Sequence, residues 1–223
     1  MVEPQVGGSY ARLRDLARWA EDIGLDAFAR SDHFLDQERS APATDAMTTY
    51  GGLAETTSAI QLVVLVTPLT FRHPAVIAKT ATTLDEMSGG RFALGVGTGW
   101  MQSEHDAFGL GLPPLGERFD RLYETLAYLR AAFGSDQGFS GDYYRLDPID
   151  VLPHPANLPI IVGGGGPKKT PTYAGRFADE YNMFVTDAET LRRRLDVMRT
   201  AAADAGRSPG AVKVSFAGPA VVA

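Results

Sequence analysis

A carboxylate and a histidine stand side by side directly after a short apolar segment near the start of the chain. They are Asp32 and His33, and they follow a predicted strand from Asp26 to Arg30. A histidine ring exchanges protons near neutral pH, and a neighbouring carboxylate can accept a hydrogen bond from a ligand. Adjacent side chains point in different directions, so Asp32 need not orient His33. The pair is the best candidate for proton transfer, and a structural or helix-capping role is the alternative.

Four consecutive glycines follow another apolar segment late in the chain; they are Gly163, Gly164, Gly165 and Gly166. Backbone amides that no side chain covers attract phosphate or carboxylate when they lie at the start of a helix. Pro167 suits the first helical position, so we expect the helix to begin there. A bound anion would offset the unfavourable interaction of Lys168 and Lys169 with the helix dipole, about 0.3 to 1 kcal/mol each. A flexible solvated turn is the alternative.

The segment from Gly95 to Gly99 has glycine at every second position. This spacing resembles a dinucleotide-binding fingerprint, but Trp100 and the residues after it stand where a further glycine or alanine is required. The sequence therefore disfavours a Rossmann NAD site. Two interpretations stay open: a tight turn at a strand end, and an anion site formed by backbone amides and the Thr98 hydroxyl.

Other common kinds of catalytic site are absent from the sequence. The chain has no cysteine, which excludes thiolate catalysis, disulfides and iron-sulfur ligation. His73 begins a predicted helix, His105 is expected in a polar loop, and His154 lies between prolines. Because none of them has a second ligand at metal-binding spacing, we expect no tightly held metal. The motifs of serine hydrolases and P-loop nucleotide hydrolases are also missing.

The composition limits the possible partners and the size of the fold. A net charge of −6 argues against nucleic acid and membrane surfaces as partners, because both require a concentrated cationic face. No apolar run approaches membrane-spanning length and the first residues lack a secretory pattern, so we expect a cytoplasmic protein. With 223 residues and 44% hydrophobic content, the chain is expected to form a single domain over 1–223.

Strands and helices alternate along the sequence. Strands are predicted at 26–30, 60–66, 91–96, 160–162, 180–184 and 212–216, and helices at 9–24, 45–58, 76–87, 119–133, 167–177 and 188–205. An irregular insertion at about 135–158 is expected to hold a small hairpin or a covering flap near Phe139, Tyr143 and Tyr144. Such alternation requires a parallel sheet with right-handed crossovers, either a closed (β/α) barrel or an open doubly wound sheet.

The candidate residues share one position, the C-terminal end of a strand. In a parallel α/β fold all of these ends open onto the same side. Residues that are far apart in the sequence are then expected to surround one ligand, which favours an enzyme. The segments are Ser31–His33, Thr67–Pro68, Gly97–Trp100, Gly163–Gly166 and Asn182.

Segments spread over almost the whole chain carry a combined pattern. They are Ala20–Asp26, Ser31–Phe34, Val66–Pro68, Thr70–Arg72, Met87–Arg91, Leu94–Trp100, Glu117–Phe119 and Pro159–Gly166. Together they resemble the luciferase-like monooxygenase superfamily, and within it the coenzyme F420-dependent oxidoreductase branch. The resemblance implies an α/β fold of the (β/α)8 TIM-barrel type, with a deazaflavin at its C-terminal face that exchanges hydride with a small organic substrate. An FMN-dependent monooxygenase of the same superfamily is the alternative, and a non-catalytic cofactor-binding or truncated subunit is a further one.

The resemblance also assigns roles to particular residues. Asp32 and His33 would lie near the cofactor ring as the catalytic pair, with His33 handling a substrate proton. The end of the strand around Val64 to Thr67 would form a bulge against the ring, in this family often with a non-proline cis peptide. The residues expected to bind the cofactor are Asp32, Val64, Leu65, Thr67, Gly97, Thr98, Gly99, Gly163, Gly164, Gly165, Gly166 and Lys168.

The sequence departs from the family pattern in two respects. A full barrel of this type typically needs about 250 residues, whereas here the first strand is reduced to Val2 to Pro4 and the final helix-strand-helix is missing. We therefore expect an incomplete barrel, either a fragment or a shortened relative, and a homodimer. Trp100 stands where some deazaflavin dehydrogenases carry an acidic residue, so the sequence does not favour a sugar-phosphate mechanism.

Overall fold

Parallel strands separated by helices account for most of the chain. The computed structural model describes residues 1–36, 43–134, 138–208 and 210–218. These residues form two compact units, Met1–Leu158 and Pro159–Ala223. The predicted alternation of strand and helix is confirmed in both units, while the single-domain assignment stays a prediction.

The first unit contains three parallel strands in the order β1, β2, β3, together with a small antiparallel hairpin. The hairpin lies inside the predicted irregular insertion, as expected from Phe139 and Tyr144. Positions 135–137 at the start of that insertion lie outside the described residues. The elements are a 3-10 turn at Pro4–Val6, α1 Tyr10–Asp22, β1 Ala27–Arg30, α2 Ala46–Thr56, β2 Gln61–Pro68, α3 Pro74–Ser88, β3 Phe92–Gly97, α4 Gln102–Phe108, α5 Leu115–Phe133, β4 Phe139–Ser140 and β5 Arg145–Leu146.

Local sequence signals set the helix ends in this unit. The Ser9 side chain accepts a hydrogen bond from the backbone N–H of Arg12, and the Asp45 side chain does the same for Thr48. Such N-caps contribute about 0.5 to 2 kcal/mol each. Gly89 ends α3 in the left-handed conformation that glycine adopts without strain. These caps fix where the loops that follow the strands begin and end.

The second strand is irregular near its C-terminal end. Val64 pairs with Leu94 and Thr67 pairs with Val96, so the register shifts between them. The Leu65–Val66 peptide bond is cis. The bulge and the non-proline cis peptide that the family resemblance implies are therefore both present.

The close approach of β2 and β3 at this bulge explains one of the alternating glycines. A Cβ atom added at Gly95 would overlap with the Val64 carbonyl oxygen and would lie 2.9 Å from Val66 Cγ1. All residues of β3 are buried. Packing against β2 therefore requires glycine at this position, whatever the segment binds.

The second unit contains three parallel strands in the order β6, β7, β8, joined by two helices. Glycine again permits a close approach, because a Cβ atom at Gly175 would overlap with the Met198 carbonyl oxygen of the neighbouring helix. The elements are β6 Ile160–Gly163, α6 Lys169–Phe177, β7 Glu180–Phe184, α7 Ala188–Asp204 and β8 Lys213–Ala217.

Two local predictions were wrong. Helix α6 begins at Lys169 and not at Pro167. The proline in the first turn of α6 is Pro171; a backbone N–H at that position would have no acceptor within the helix, so proline is tolerated there. The glycines before Pro167 disfavour an earlier start of the helix. His105 lies in α4 and not in a loop; the polar residues of this short helix hid its buried face.

The start of the chain is close to what the sequence indicates. Val2 forms an isolated parallel bridge with Arg30, on the edge of β1. A 3-10 turn follows at once, since Pro4 suits the first position of a helical turn. The predicted reduction of the first strand is thus visible as a bridge of one residue.

Candidate active site

A histidine held by a buried carboxylate lies directly after β1. His33 Nδ1 is 3.1 Å from Glu104 Oε2, and Glu104 projects from α4. Glu104 is buried, whereas the His33 side chain keeps 17% of its surface exposed. The arrangement leaves one side of the imidazole accessible while the other side is fixed.

The same carboxylate also organises the loop that follows the histidine. Glu104 Oε1 accepts hydrogen bonds from the backbone N–H groups of Phe34 and Leu35, the latter at 3.1 Å. Burial raises the pKa of Glu104, but the hydrogen bond from His33 and the two backbone hydrogen bonds outweigh burial and leave this pKa below its usual value. Glu104 is therefore an anion that binds three donors at neutral pH.

Asp32 belongs to a separate cluster of charges. Its Oδ2 atom is 2.5 Å from Arg72 Nη1, which also donates to Thr67 Oγ1 at 3.0 Å. Arg72 Nη2 contacts the Asp45 carboxylate. Burial raises the pKa of Asp45, but the Thr48 backbone hydrogen bond and the Arg72 charge lower it further than burial raises it. The structure thus brings together Asp32 and Thr67, both predicted site residues, through an arginine that was assigned no role.

The other histidine near this site is fully engaged. His105 Nδ1 lies 2.8 Å from the Met101 carbonyl oxygen, which can only accept, so Nδ1 carries the proton. The Nε2 atom lies 2.7 Å from the Thr70 hydroxyl, which can donate to or accept from it. His105 is also 1% exposed. His33, and not His105, can reach a ligand.

Aromatic side chains contact His33 and the residue that follows it. The Trp100 ring lies edge-on to His33 with centroids 5.6 Å apart, and 59% of Trp100 is exposed. Phe34 stacks on Phe71 at 4.3 Å and contacts Phe108. Apolar rings beside a polar centre are typical of sites for planar or apolar organic ligands.

The segment after β3 is positioned by backbone contacts. Gly97 is in register with Pro68 at the end of β2. Arg118 donates to the Gly99 carbonyl oxygen and, at 2.8 Å, to the Pro113 carbonyl oxygen. The ends of β2 and β3 are therefore adjacent, and the predicted residues Val64, Leu65, Thr67, Gly97, Thr98 and Gly99 lie at or beside them. Their contact with a cofactor stays a prediction.

In the second unit, the glycine segment (Gly163–Gly166) begins at the last residue of β6 and continues beyond the strand. The Gly164 N–H donates to the Asn182 carbonyl oxygen at 3.2 Å, and Gly164 has a φ of +143°. A Cβ atom at Gly165 would meet nothing within 4 Å. Lys168 is exposed directly before α6. There is thus open space beside the backbone at Gly165, and anion binding by this segment stays a prediction.

An arginine that sequence reasoning missed lies beside this segment. Arg194 Nη2, from α7, donates to the Gly165 carbonyl oxygen at 2.7 Å. Its Nε atom is buried, and no acceptor among the described residues lies within hydrogen-bonding distance of it. A guanidinium with an unused donor next to bare glycines is suited to an anion.

The described residues offer no sign of a metal centre or a membrane span. Over 1–36, 43–134, 138–208 and 210–218, no group of three or more His, Asp or Glu side chains could hold a metal ion. In those same ranges no helix has both the length and the apolar character needed to cross a membrane.

Comparisons with known proteins show which family the chain is similar to. The chain matches the family model of luciferase-like monooxygenases over residues 2–223. It is 37% identical over 175 residues to the F420-dependent glucose-6-phosphate dehydrogenase of Amycolatopsis mediterranei, which covers 75% of this chain and 52% of that enzyme. It is 32% identical over 160 residues to the pyrimidine monooxygenase RutA of Escherichia coli, which covers 70% of this chain and 42% of that enzyme.

A solved structure shows the same fold. An F420-dependent secondary alcohol dehydrogenase in complex with an F420-acetone adduct superposes with a TM-score of 0.81 and 26% identity, over 91% of this chain and 63% of that one. The expected α/β fold of the (β/α) barrel type is thereby confirmed. The chain spans about half the length of the curated relatives it matches. On the match that covers nearly all of its residues, the chain belongs to the luciferase-like monooxygenase family.

Proposed function

We propose that this chain is an oxidoreductase that uses coenzyme F420 on a small organic alcohol or ketone. The observation that carries the proposal is the His33 ring, which is partly exposed and is held at Nδ1 by the buried carboxylate of Glu104. Similarity to F420-dependent dehydrogenases supports the choice of cofactor. The exposed Trp100 beside His33 supports an apolar organic substrate.

Hydrogen-bond donors and positive charges beside the glycine segment are of the kind that binds the phosphate of a redox cofactor. The open backbone at Gly165 would hold a phosphate group, and the Arg194 guanidinium and Lys168 would add positive charge beside it. In the first unit, the bulge at Val64 to Thr67 is proposed to contact the ring, while a cofactor contact of Asp32, which is buried against Arg72, stays a prediction. The phosphate contacts are proposed for the second unit, and the ring contacts are proposed for the first unit.

The chain's own residues would position the substrate and manage one proton. Bound F420 supplies two-electron chemistry, since it accepts or releases a hydride. His33 takes the proton from a substrate hydroxyl during oxidation and returns it to the carbonyl oxygen during reduction. Glu104 stays ionised beside the His33 ring, and Trp100 covers part of that ring.

An FMN-dependent monooxygenase is the second candidate. Similarity to the pyrimidine monooxygenase of Escherichia coli favours it, because that relative matches 70% of the chain. A non-catalytic cofactor-binding subunit is the third candidate. The homodimer and the cytoplasmic location stay predictions.

Absorption and fluorescence titrations with F420 and with FMN separate these candidates. We expect F420 to bind and to be reduced when secondary alcohols are added. His33→Ala should keep F420 binding but lose about a hundredfold or more of the reduction rate, the usual effect of removing a general acid or base. His154→Ala, at an exposed histidine in the insertion, is the matched control and should change neither property.

Two outcomes would contradict the proposal. Tight FMN binding without F420 binding would favour the monooxygenase. F420 binding without reduction by any alcohol or hydroxy compound would favour the non-catalytic subunit.

A further inference from the structure

The inference concerns the buried carboxylate beside the candidate histidine. We propose that Glu104 is a positioning residue that fixes the tautomer of His33, with the proton on Nδ1 and the lone pair on Nε2. The inference rests on the proposed function only in that His33 is the residue that exchanges a proton with the substrate. Glu104 acts through His33 and is not itself assigned a contact with substrate.

The hydrogen bonds that Glu104 makes determine which ring nitrogen of His33 carries the proton. Glu104 accepts hydrogen bonds from the backbone N–H groups of Phe34 and Leu35. These two bonds fix the orientation of the carboxylate independently of its contact with His33. An ionised carboxylate has no proton to donate. The 3.1 Å contact with His33 Nδ1 therefore requires the proton to be on Nδ1. In a neutral imidazole the other nitrogen, Nε2, is then the acceptor.

Competing charges near the ring are already paired. Asp32 binds Arg72, and Asp45 binds the other end of the same guanidinium. His105, which follows Glu104 on α4, uses both ring nitrogens on Thr70 and Met101. Trp100, which faces the ring from the segment after β3, is uncharged. Within the described ranges, the carboxylate that contacts His33 is that of Glu104.

The fixed tautomer has a direct consequence for proton transfer. When a substrate hydroxyl breaks its O–H bond, the proton forms a new N–H bond at His33 Nε2 and the ring becomes an imidazolium cation. Glu104 stabilises that cation because its negative charge lies at the opposite nitrogen. In the reverse direction Nε2–H gives its proton to the carbonyl oxygen, and the neutral ring returns to the same tautomer.

Nitrogen-15 NMR of the ring nitrogens in the cofactor-free protein tests the inference directly. At a pH where the ring is neutral, we expect the chemical shift of His33 Nδ1 to be that of a protonated nitrogen and Nε2 that of an unprotonated one. In Glu104→Gln the amide can donate to Nδ1, so the Nε2–H tautomer should increase. Glu86→Gln, an exposed glutamate on α3, is the control and should leave the His33 signals unchanged.

The outcomes separate this inference from the proposed function. An Nε2–H tautomer in the unmodified protein would overturn the inference, and this measurement does not depend on whether any variant folds. An unchanged tautomer in a folded Glu104→Gln variant would overturn it as well. With F420 and an alcohol, Glu104→Gln should lower kcat about tenfold or more with little change in KM. If the tautomer is as expected but no alcohol reduces F420, the proposed function fails and the tautomer assignment stands.

Discussion

Two segments that each follow a parallel strand are built in opposite ways. In the segment Ser31–Leu35, after β1, side chains from other elements fix the structure: Arg72 holds Asp32, and Glu104 holds His33. In the glycine segment after β6, the backbone itself is the exposed surface. The first design depends on charges that come from distant positions in the sequence. The second depends on the absence of side chains at its own positions.

The largest effect is expected from breaking the charge cluster of the first segment. Arg72→Met leaves the fully buried Asp32 carboxylate without its cation. Removing one partner of a buried ion pair costs about 3 to 5 kcal/mol of unfolding free energy. Urea denaturation followed by circular dichroism measures the loss. Arg193→Met, which breaks an exposed pair with Glu189, should cost less than about 0.5 kcal/mol.

Equal costs for these two arginine variants would contradict the contrast. Equal costs would mean that solvent screens the Asp32–Arg72 pair as strongly as it screens the exposed Glu189–Arg193 pair. The ion pairs would then not be what holds the first segment.

An intermediate effect is expected from adding a methyl group to the second segment. Gly164→Ala forces alanine into a φ of +143°, which should cost about 1 to 3 kcal/mol. Gly165→Ala is the matched control, because its Cβ atom meets nothing within 4 Å. Its unfolding free energy should change by less than about 1 kcal/mol. Thermal denaturation of both variants tests the order, and a larger loss at Gly165 would refute it.

The smallest effect is expected from the arginine beside the glycines. Arg194→Gln removes the guanidinium with the unused Nε donor and should weaken F420 binding about threefold to tenfold, up to about 1.4 kcal/mol. Arg193→Gln on the same helix is the control. Fluorescence titration with F420 and with a deazaflavin that lacks the phosphate group measures the difference. Equal weakening for both compounds would show that Arg194 does not contact phosphate.

Much of the fold follows from local patterns in the sequence. Alternating apolar runs and capping residues were enough to place most strands and helices within a few residues, but not α4. Ser9, Asp45 and Gly89, for example, cap the helices that the sequence predicts. The family resemblance, and not any local pattern, implied the cis peptide in β2.

The partners of the candidate residues could not be predicted in the same way. Glu104 lies 71 positions from His33, and Arg72 lies 40 positions from Asp32. Such contacts depend on how β1, β2 and β3 pair, and no local sequence pattern specifies the register of that pairing. One signal was available: Glu104 stands in a short polar segment that ends at Gly109, which caps α4. Recognising that helix would have placed a carboxylate in its first turn.

The crowding at Gly95 bears on any attempt to redesign this protein. Because the neighbouring strand occupies the space that a side chain would need, an engineered library should keep this position constant. Thr98 and the exposed Trp100 lie beyond the end of β3, so variation at these two positions should leave the sheet intact. At least one of the alternating glycines is therefore required by the packing of β2 against β3, and the spacing of these glycines by itself does not indicate a nucleotide-binding site.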